Sequence, residues 1–438
     1  MYIKQIKLHN VKCFDDLTLD FIDDSNKIRK WTAFLGINGV GKSILLQAIT
    51  LSLTGDPALI HDLVPNSHYW VRKHKEMGTI DVIASVTNES TNFKQRDFHL
   101  RYLVLSQDTK IKNQMFPPRI IPDPEHDGHQ RFYEFIDNRR NRAIFCSYGP
   151  YRRLPNKLEK QSGIRDFASF NSIASMFYSD VLFIDLNEWL KDLDYRQIKF
   201  KDKTAEKLFS QAIKTLSSVI PRTKFDSINK RGEAMFVTPS GIVPFSELSD
   251  GFRSIISWVL NLFISIVEAN SNKDNPLHSE GVVLVDELDL HLHPQGQRKI
   301  VDWLRKTFPN IQFIVSSHSP FIAQSLKQGE LFVLKTQRGK TAVEQIHESF
   351  EGWRVDQILT TIFGLESTRD VRTERKLRKY EEMSNSEFLE QSQKKIIVME
   401  KLKRDLEFII PYPGETKSIM KKQEELDYLI KKFKEKMK

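Results

Sequence analysis

Gly36-Ile37-Asn38-Gly39-Val40-Gly41-Lys42-Ser43 fits G-x-x-x-x-G-K-[ST] at every fixed position. Ahead of it, Trp31-Thr32-Ala33-Phe34-Leu35 is a short apolar run suited to a buried strand, and Ile44-Leu45-Leu46-Gln47-Ala48-Ile49 behind it has helical apolar spacing. Strand, glycine turn and helix in that order make a phosphate cradle. Glycines let backbone N–H groups approach phosphate oxygens, and the helix start adds the positive end of its dipole. Residues Gly36 to Ile44 are therefore expected to surround the β- and γ-phosphates of a nucleotide. Lys42 would neutralise their oxygens, and the Ser43 hydroxyl would hold a magnesium ion.

The chain has 438 residues, 40% of them hydrophobic and 28% charged, which is enough to bury a substantial core in two or three structural units. Its longest nearly apolar run, 255–267, is interrupted by Ser257, Asn261 and Ser265; it is too short for a membrane span and reads as a buried helix. Residues Met1 to Leu8 alternate apolar and polar like a strand, with no apolar leader behind them, so a cytoplasmic protein without a membrane partner is expected. Each of the two cysteines, Cys13 and Cys146, sits beside apolar residues, as reduced core thiols do. A net charge of +9 favours contact with nucleic acid or another polyanion, the alternative being a solvated basic surface.

Three later stretches extend the phosphate chemistry. In Val282-Val283-Leu284-Val285-Asp286-Glu287, four aliphatic residues lead to two carboxylates at a strand end, the Walker B pattern. Asp286 is expected to hold magnesium through water, and Glu287 to polarise the attacking water as general base. Ile311 to Val315 is another buried strand, closed by Ser316-Ser317-His318-Ser319-Pro320. Finally, Ser249, Asp250 and Gly251 precede a long apolar helix, whose N-terminus can face a phosphate; Ser249 or Asp250 also suits an ordinary N-cap. His291 and His293, spaced i, i+2, have no cysteine or third ligand beside them, so no zinc site is expected there.

This ordered set resembles the ABC-type ATPases of the SMC, RecF and OLD-like group. The resemblance implies an α/β P-loop NTPase of ABC type, with a mixed sheet flanked by helices, an antiparallel N-terminal subdomain, a helical lobe and a helical C-terminal tail. In that group LSGGQ is usual where this chain has Leu248-Ser249-Asp250-Gly251-Phe252, His318 matches a switch histidine that senses the γ-phosphate, and Leu288 to Pro294 resembles the segment that crosses between subunits. An N-terminal hairpin there carries a basic residue that reaches the phosphates; Lys12 matches it, with a solvated hairpin lysine as the other reading. The group's glutamine after the strand at 143–147 has no counterpart in Tyr148 to Arg153, and Gln107 is a stand-in.

By the same resemblance, ATP and magnesium are sandwiched between Lys42, Ser43, Asp286, Glu287 and His318 of one chain and Ser249 and Gly251 of a second, giving a homodimer or higher homo-oligomer. Gly352 to Leu359, with Phe363-Gly364-Leu365, is similar to a segment of the PtuA-like ATPases of Septu and retron anti-phage systems, which pair with a separate HNH-type nuclease. The implied function is an ATP-hydrolysing switch subunit of slow turnover that regulates a nuclease effector. No nuclease motif of its own is expected in the chain. The alternative is a RecF-like DNA-binding ATPase acting in repair without an effector.

The expected organisation is an N-terminal core half at 1–155, a helical lobe at 156–235, a C-terminal core half at 236–350 and a helical partner or oligomerisation segment at 351–438. Within it, Thr79 to Thr87 and Phe98 to Leu105 read as antiparallel strands and Phe116 to His129 as a surface insertion. Leu193, Ile198, Leu208, Ile213, Leu216 and Ile220 read as the lobe's apolar stripe. A second stripe, Ile396 to Ile409, precedes a break at Pro411-Tyr412-Pro413-Gly414.

Overall fold

In the computed structural model of the chain, the run before the glycine loop is the strand Trp31–Leu35, every residue of it buried. The structure describes residues 1–87, 95–111, 114–137, 143–152, 168–219, 222–270, 273, 275–337, 339–384, 398 and 401. Trp31–Leu35 lies inside a six-stranded sheet ordered Lys340–Ile346, Leu331–Gln337, Trp31–Leu35, Ile311–Ser317, Gly281–Val285, Ile144–Tyr148. The last four of these run parallel and in register: Leu35 is opposite Ser317, and Val285 is opposite both Val315 and Tyr148. Strands covered on both faces read as unbroken apolar runs, which is why these were visible in the sequence. Their register brings the residues that follow them, Gly36, His318, Asp286 and Gly149, out along one edge of the sheet, where open α/β folds bind ligands.

A second, antiparallel sheet is ordered Phe14–Asp20, Tyr2–Val11, Met77–Thr87, Gln95–Leu105, Ile120–Pro122. Between the two sheets runs the glycine-loop helix Lys42–Thr54, which touches strands of both. Leu45, Leu46, Ala48 and Ile49 are fully buried. A helix apolar nearly all round needs such cover, and each large aliphatic side chain buried this way stabilises by about 1.5–3 kcal/mol. A buried polar side chain helps to join the sheets. The pairing of Tyr2–Val11 slips between Ile3 and Gln5, and buried Gln312 accepts from Ile3 N at 2.7 Å and donates to Ile3 O at 3.0 Å. Two backbone groups that would each cost about 1–3 kcal/mol unpaired are thereby satisfied.

The segment 116–129 differs from its reading as a surface insertion. Ile120–Pro122 completes the antiparallel sheet, Ile120, Ile121 and Asp123 are buried, and Gly128, which opens the helix Gly128–Asp137, packs directly on the His99 backbone. Three residues were too few to show a period, so the strand was invisible. The lobe differs too. Its helices Leu186–Phe200 and Lys203–Val219 are present, separated by Lys201 at φ +51° and by Asp202, whose carboxylate accepts from Thr204 N and Ala205 N. Ile198, however, is 71% exposed. At 3.6 residues per turn it lies about 80–140° around the helix from the buried Leu186, Leu190 and Leu193. A three-stranded sheet, Lys224–Ile228, Ala234–Thr238, Gly241–Pro244, follows the helices and leads into Ser249.

From the Ser249 cap runs Asp250–Ala269, a 20-residue helix, longer than the apolar run that marked it. By length and composition it meets the test for a membrane span, yet residues Ser254 to Val267 are all buried within the protein. Cys13 and Cys146 are both free thiols. The chain divides into two compact units, Met1–Ile358 and Leu359–Lys438. In the second the helix Val371–Ser384 is described; the break at 411–414 and nearly all of the 396–409 stripe lie outside the described residues.

The parallel core predicts one tight packing point. A Cβ on Gly281 would stand 2.6 Å from Ile144 Cβ and 2.9 Å from Ile144 O on the neighbouring strand. Gly281→Ala is expected to lower thermal stability by about 1–3 kcal/mol, read by thermal melting, as forced overpacking does.

Candidate nucleotide site

The loop at Gly36–Ser43 owes its shape to glycine. Gly36, Gly39 and Gly41 have φ of +155°, +81° and +107°. A Cβ on Gly41 would also stand 2.5 Å from Cys13 Sγ and 2.9 Å from the Phe14 ring, so these side chains of the hairpin between Tyr2–Val11 and Phe14–Asp20 rest on bare loop backbone. Gly41 is the N-cap of Lys42–Thr54, its backbone left-handed, without a side-chain cap and without an acid in the first turn. The first amides of that helix thus face the loop with the positive end of the dipole. Lys42, 5% exposed, donates from Nζ to the carbonyls of Gly36 at 2.9 Å and Ile37 at 3.0 Å. Burial lowers its pKa, and Asp286, Glu287 and Asp289 oppose the shift.

Those carboxylates stand at the ends of the adjacent strands. Asp286, 2% exposed, accepts a hydrogen bond from Ser316 Oγ, while Glu287 N donates to the same oxygen at 2.8 Å. Glu287 takes φ +50°, uncommon for a residue with a side chain and a form of strain that clusters at functional sites. Burial raises its pKa, Asp286 and Asp289 push it further up, and Arg152 and Lys42 pull against them. Asp289 accepts from Ser317 Oγ at 2.6 Å and from His318 N at 3.2 Å, tying the Asp286–Asp289 turn to the switch segment. His318 is half-buried; burial and then Lys42 lower its pKa, so the imidazole is held toward its neutral form. Lys42, Asp286, Glu287 and His318, far apart in the chain, thus share one electrostatic environment at the sheet edge.

The signature residues lie at another helix start. Ser249 Oγ caps the helix by accepting from Phe252 N at 3.5 Å, Asp250 pairs with Arg253, and both Ser249 and Asp250 are exposed. A Cβ on Gly251 would clash with the carbonyl of His291, so this helix start abuts the segment after Glu287 through bare backbone. Lys12, at φ +46° in the hairpin turn, sets its Nζ 4.8 Å from the centroid of the Trp70 ring. Ile37, Asn38, Gly39 and Ser43 are exposed around the loop, whereas Val40 is buried and its carbonyl accepts from Thr341 Oγ1 at 3.0 Å. Gln107, the stand-in glutamine, is exposed in the turn after Gln95–Leu105, on the antiparallel sheet rather than the edge that carries the carboxylates.

Two residues at the site escaped the sequence reading. Ser316 fell between an apolar strand and a histidine and looked like a strand end. Arg152 follows Ile144–Tyr148 where the glutamine was sought, and its guanidinium donates to the carbonyls of Asp286, Glu287 and Gly149. The residues present fit a nucleoside triphosphate with magnesium: uncapped helix amides, a buried ammonium on exchangeable carbonyls, and a hydroxyl and a carboxylate, Ser43 and Asp286, of the oxygen type that magnesium takes.

The Glu287 environment predicts a pH dependence of stability, measured without nucleotide and with EDTA. A carboxyl whose pKa is higher folded than unfolded takes up a proton on folding, so its destabilising effect grows as pH rises from the ordinary carboxylate range through the folded value. Glu287→Gln is therefore expected to melt above wild type near neutral pH, with the gap closing as pH falls. Ser316→Ala, which strips Asp286 of its donor and Glu287 N of its acceptor, is expected to lose about 1–3 kcal/mol in the same assay.

Comparison with known proteins bears on family and fold. The Septu protein PtuA of Bacillus mycoides is 28% identical over 371 residues, covering 84% of this chain and 45% of PtuA, so the chain spans less than half of that relative's length. A retron Ec83 probable ATPase of Escherichia coli is 24% identical over 415 residues, covering 81% of this chain and 76% of that protein. Among solved structures, the SmcHead bound to the C-winged helix domain of ScpA aligns with a TM-score of 0.51 at 14% identity, over 79% of this chain and 98% of that one, a likeness of fold. The fold is that of the ABC-type P-loop ATPase heads. With residues 32–323 matching, more than half of its length, the chain belongs to the family described as "AAA domain, putative AbiEii toxin, Type IV TA system".

Proposed function

We propose that this chain is an ATP-binding and hydrolysing switch subunit of bacterial anti-phage defence, acting in the cytoplasm by controlling a separate nuclease of HNH type. The observation that carries the reading is the convergence of Lys42, Asp286, Glu287 and His318 on one sheet edge while Ser249 and Asp250 stand exposed, with half-buried Gly251, at a different helix start. An incomplete phosphate site on each chain is completed by the signature residues of a second, so two chains close on ATP. The defence role comes from the relatives, a Septu protein and a retron ATPase.

In this reading Lys42 exchanges the Gly36 and Ile37 carbonyls for phosphate oxygens, and Ser43 and Asp286 hold magnesium. Magnesium, when bound, neutralises charge on the phosphate oxygens. Glu287 takes the proton of the attacking water, its basicity raised by burial beside two other acids. A neutral His318 offers one ring N–H and one lone pair toward the γ-phosphate. Loss of the γ-phosphate removes contacts that hold the two chains, which is the switch.

The test is the native mass of the purified chain with ATP and magnesium, wild type against Glu287→Gln, alone and with the product of the neighbouring gene. Glu287→Gln is expected to trap ATP in an assembly of at least two chains that retains the partner. A mass indifferent to nucleotide, with nothing co-purifying, would overturn the two-chain site, and salt-sensitive DNA binding by the lone chain would then favour the RecF-like alternative.

A further inference from the structure

Arg152 is 6% exposed, and a buried guanidinium is costly unless its donors are used. Its hydrogen bonds go to main-chain oxygens rather than carboxylates. Nε donates to Gly149 O at 3.2 Å, and Nη2 donates to Asp286 O and, at 3.0 Å, to Glu287 O. Burial lowers its pKa to about 10, and Asp286, Asp289 and Glu287 hold the charge in place. The Glu287 peptide, at φ +50°, is thus gripped from both sides, its N–H by Ser316 Oγ and its C=O by Arg152. Such a conformation costs about 1–3 kcal/mol and persists only where the surroundings over-determine it.

Arg152 also reaches the signature helix. Its guanidinium lies 5.7 Å from the centroid of the Trp258 ring, and Tyr148, at the end of the same strand, donates its hydroxyl to Asn261 Oδ1 at 2.9 Å. Trp258 and Asn261 are three residues apart and so share one face of Asp250–Ala269. The strand end at 148–152 is therefore bonded on one side to the turn that bears the general base and on the other to the helix that starts at Ser249.

We propose that Arg152 is a positioning residue for hydrolysis: it fixes the Glu287 peptide, and so the direction of the Glu287 carboxylate, and links that peptide to the signature helix. The proposal rests on the hydrolytic reading above.

Steady-state phosphate release by the full purified chain tests it, with wild type, Arg152→Lys and Arg152→Met compared under identical ATP and magnesium. In Arg152→Met the kcat is expected to fall about 10–100-fold, as when the outer partner of a reactive group is removed, with KM for ATP within about threefold of wild type. Arg152→Lys keeps the charge without the planar fork and is expected to recover part of kcat. A cooperatively melting Arg152→Met with wild-type kcat overturns the proposal, as does a raised KM with kcat intact. If Arg152→Met does not fold, Arg152→Lys decides by the same two criteria; if neither folds, the residue is structural and the proposal falls. A wild-type chain that releases no phosphate sinks the hydrolytic reading and this role with it, whereas an active wild type with indifferent variants sinks this role alone.

Discussion

Three carboxylates, Asp286, Glu287 and Asp289, crowd one end of the parallel sheet, and their mutual repulsion sets the terms for everything around them. Two like charges about 4 Å apart in a partly wet site repel by about 4 kcal/mol, a large fraction of the net stability of a domain. The chain answers with two buried cations of different kinds. Lys42 comes from the loop side on a flexible stem, with its ammonium parked on carbonyls. Arg152 comes from behind, with a rigid fork that binds the peptides of the turn. One cation is held by two carbonyls of the loop, and the other by three carbonyls around the turn. Three serines in a row of four residues, Ser316, Ser317 and Ser319, then hold what charge alone does not: Asp286, Asp289 and, through Gln297, the helix Pro294–Thr307.

Close approach at glycines does the corresponding work at the loop. Cys13 and Phe14 occupy the space beside Gly41, and Leu334 O lies 2.6 Å from where a Gly36 Cβ would stand. The loop is therefore shaped by the hairpin on one side and the strand Leu331–Gln337 on the other, each from a different part of the chain. Glycine is required here twice over, for left-handed backbone at Gly41 and for close approach. The same device recurs where Gly251 meets the His291 carbonyl.

Phosphate chemistry was legible in the sequence because it admits few residue types at few spacings. Gly41, Lys42, Asp286 and Glu287 are recognisable one by one, and burial on both faces writes the strands that carry them as plain apolar runs. What was not legible depends on meeting at a distance. Arg152 and Asp286 are 134 residues apart, and nothing local distinguishes an arginine that will grip two carbonyls from one that ends in solvent. The three-residue strand Ile120–Pro122 is too short for any period, and its burial comes from the neighbouring strand. Ile198 shows the converse: helical spacing counted loosely admits a residue that the helix turns outward.

Gln312 carries a consequence for the order in which the fold is made. Ile3 waits for a side chain 309 residues later, and Trp31–Leu35 finds its two sheet neighbours only in Ile311–Ser317 and Leu331–Gln337. At roughly 5–20 residues per second, synthesis leaves the first strand without these partners for about 15–60 s. The N-terminal apolar strands must stay out of other pairings for that time, and closing so long a loop makes the parallel core a late, slow step of folding. Truncation from the C-terminal side into 311–337 would therefore release an aggregating chain rather than a smaller stable unit.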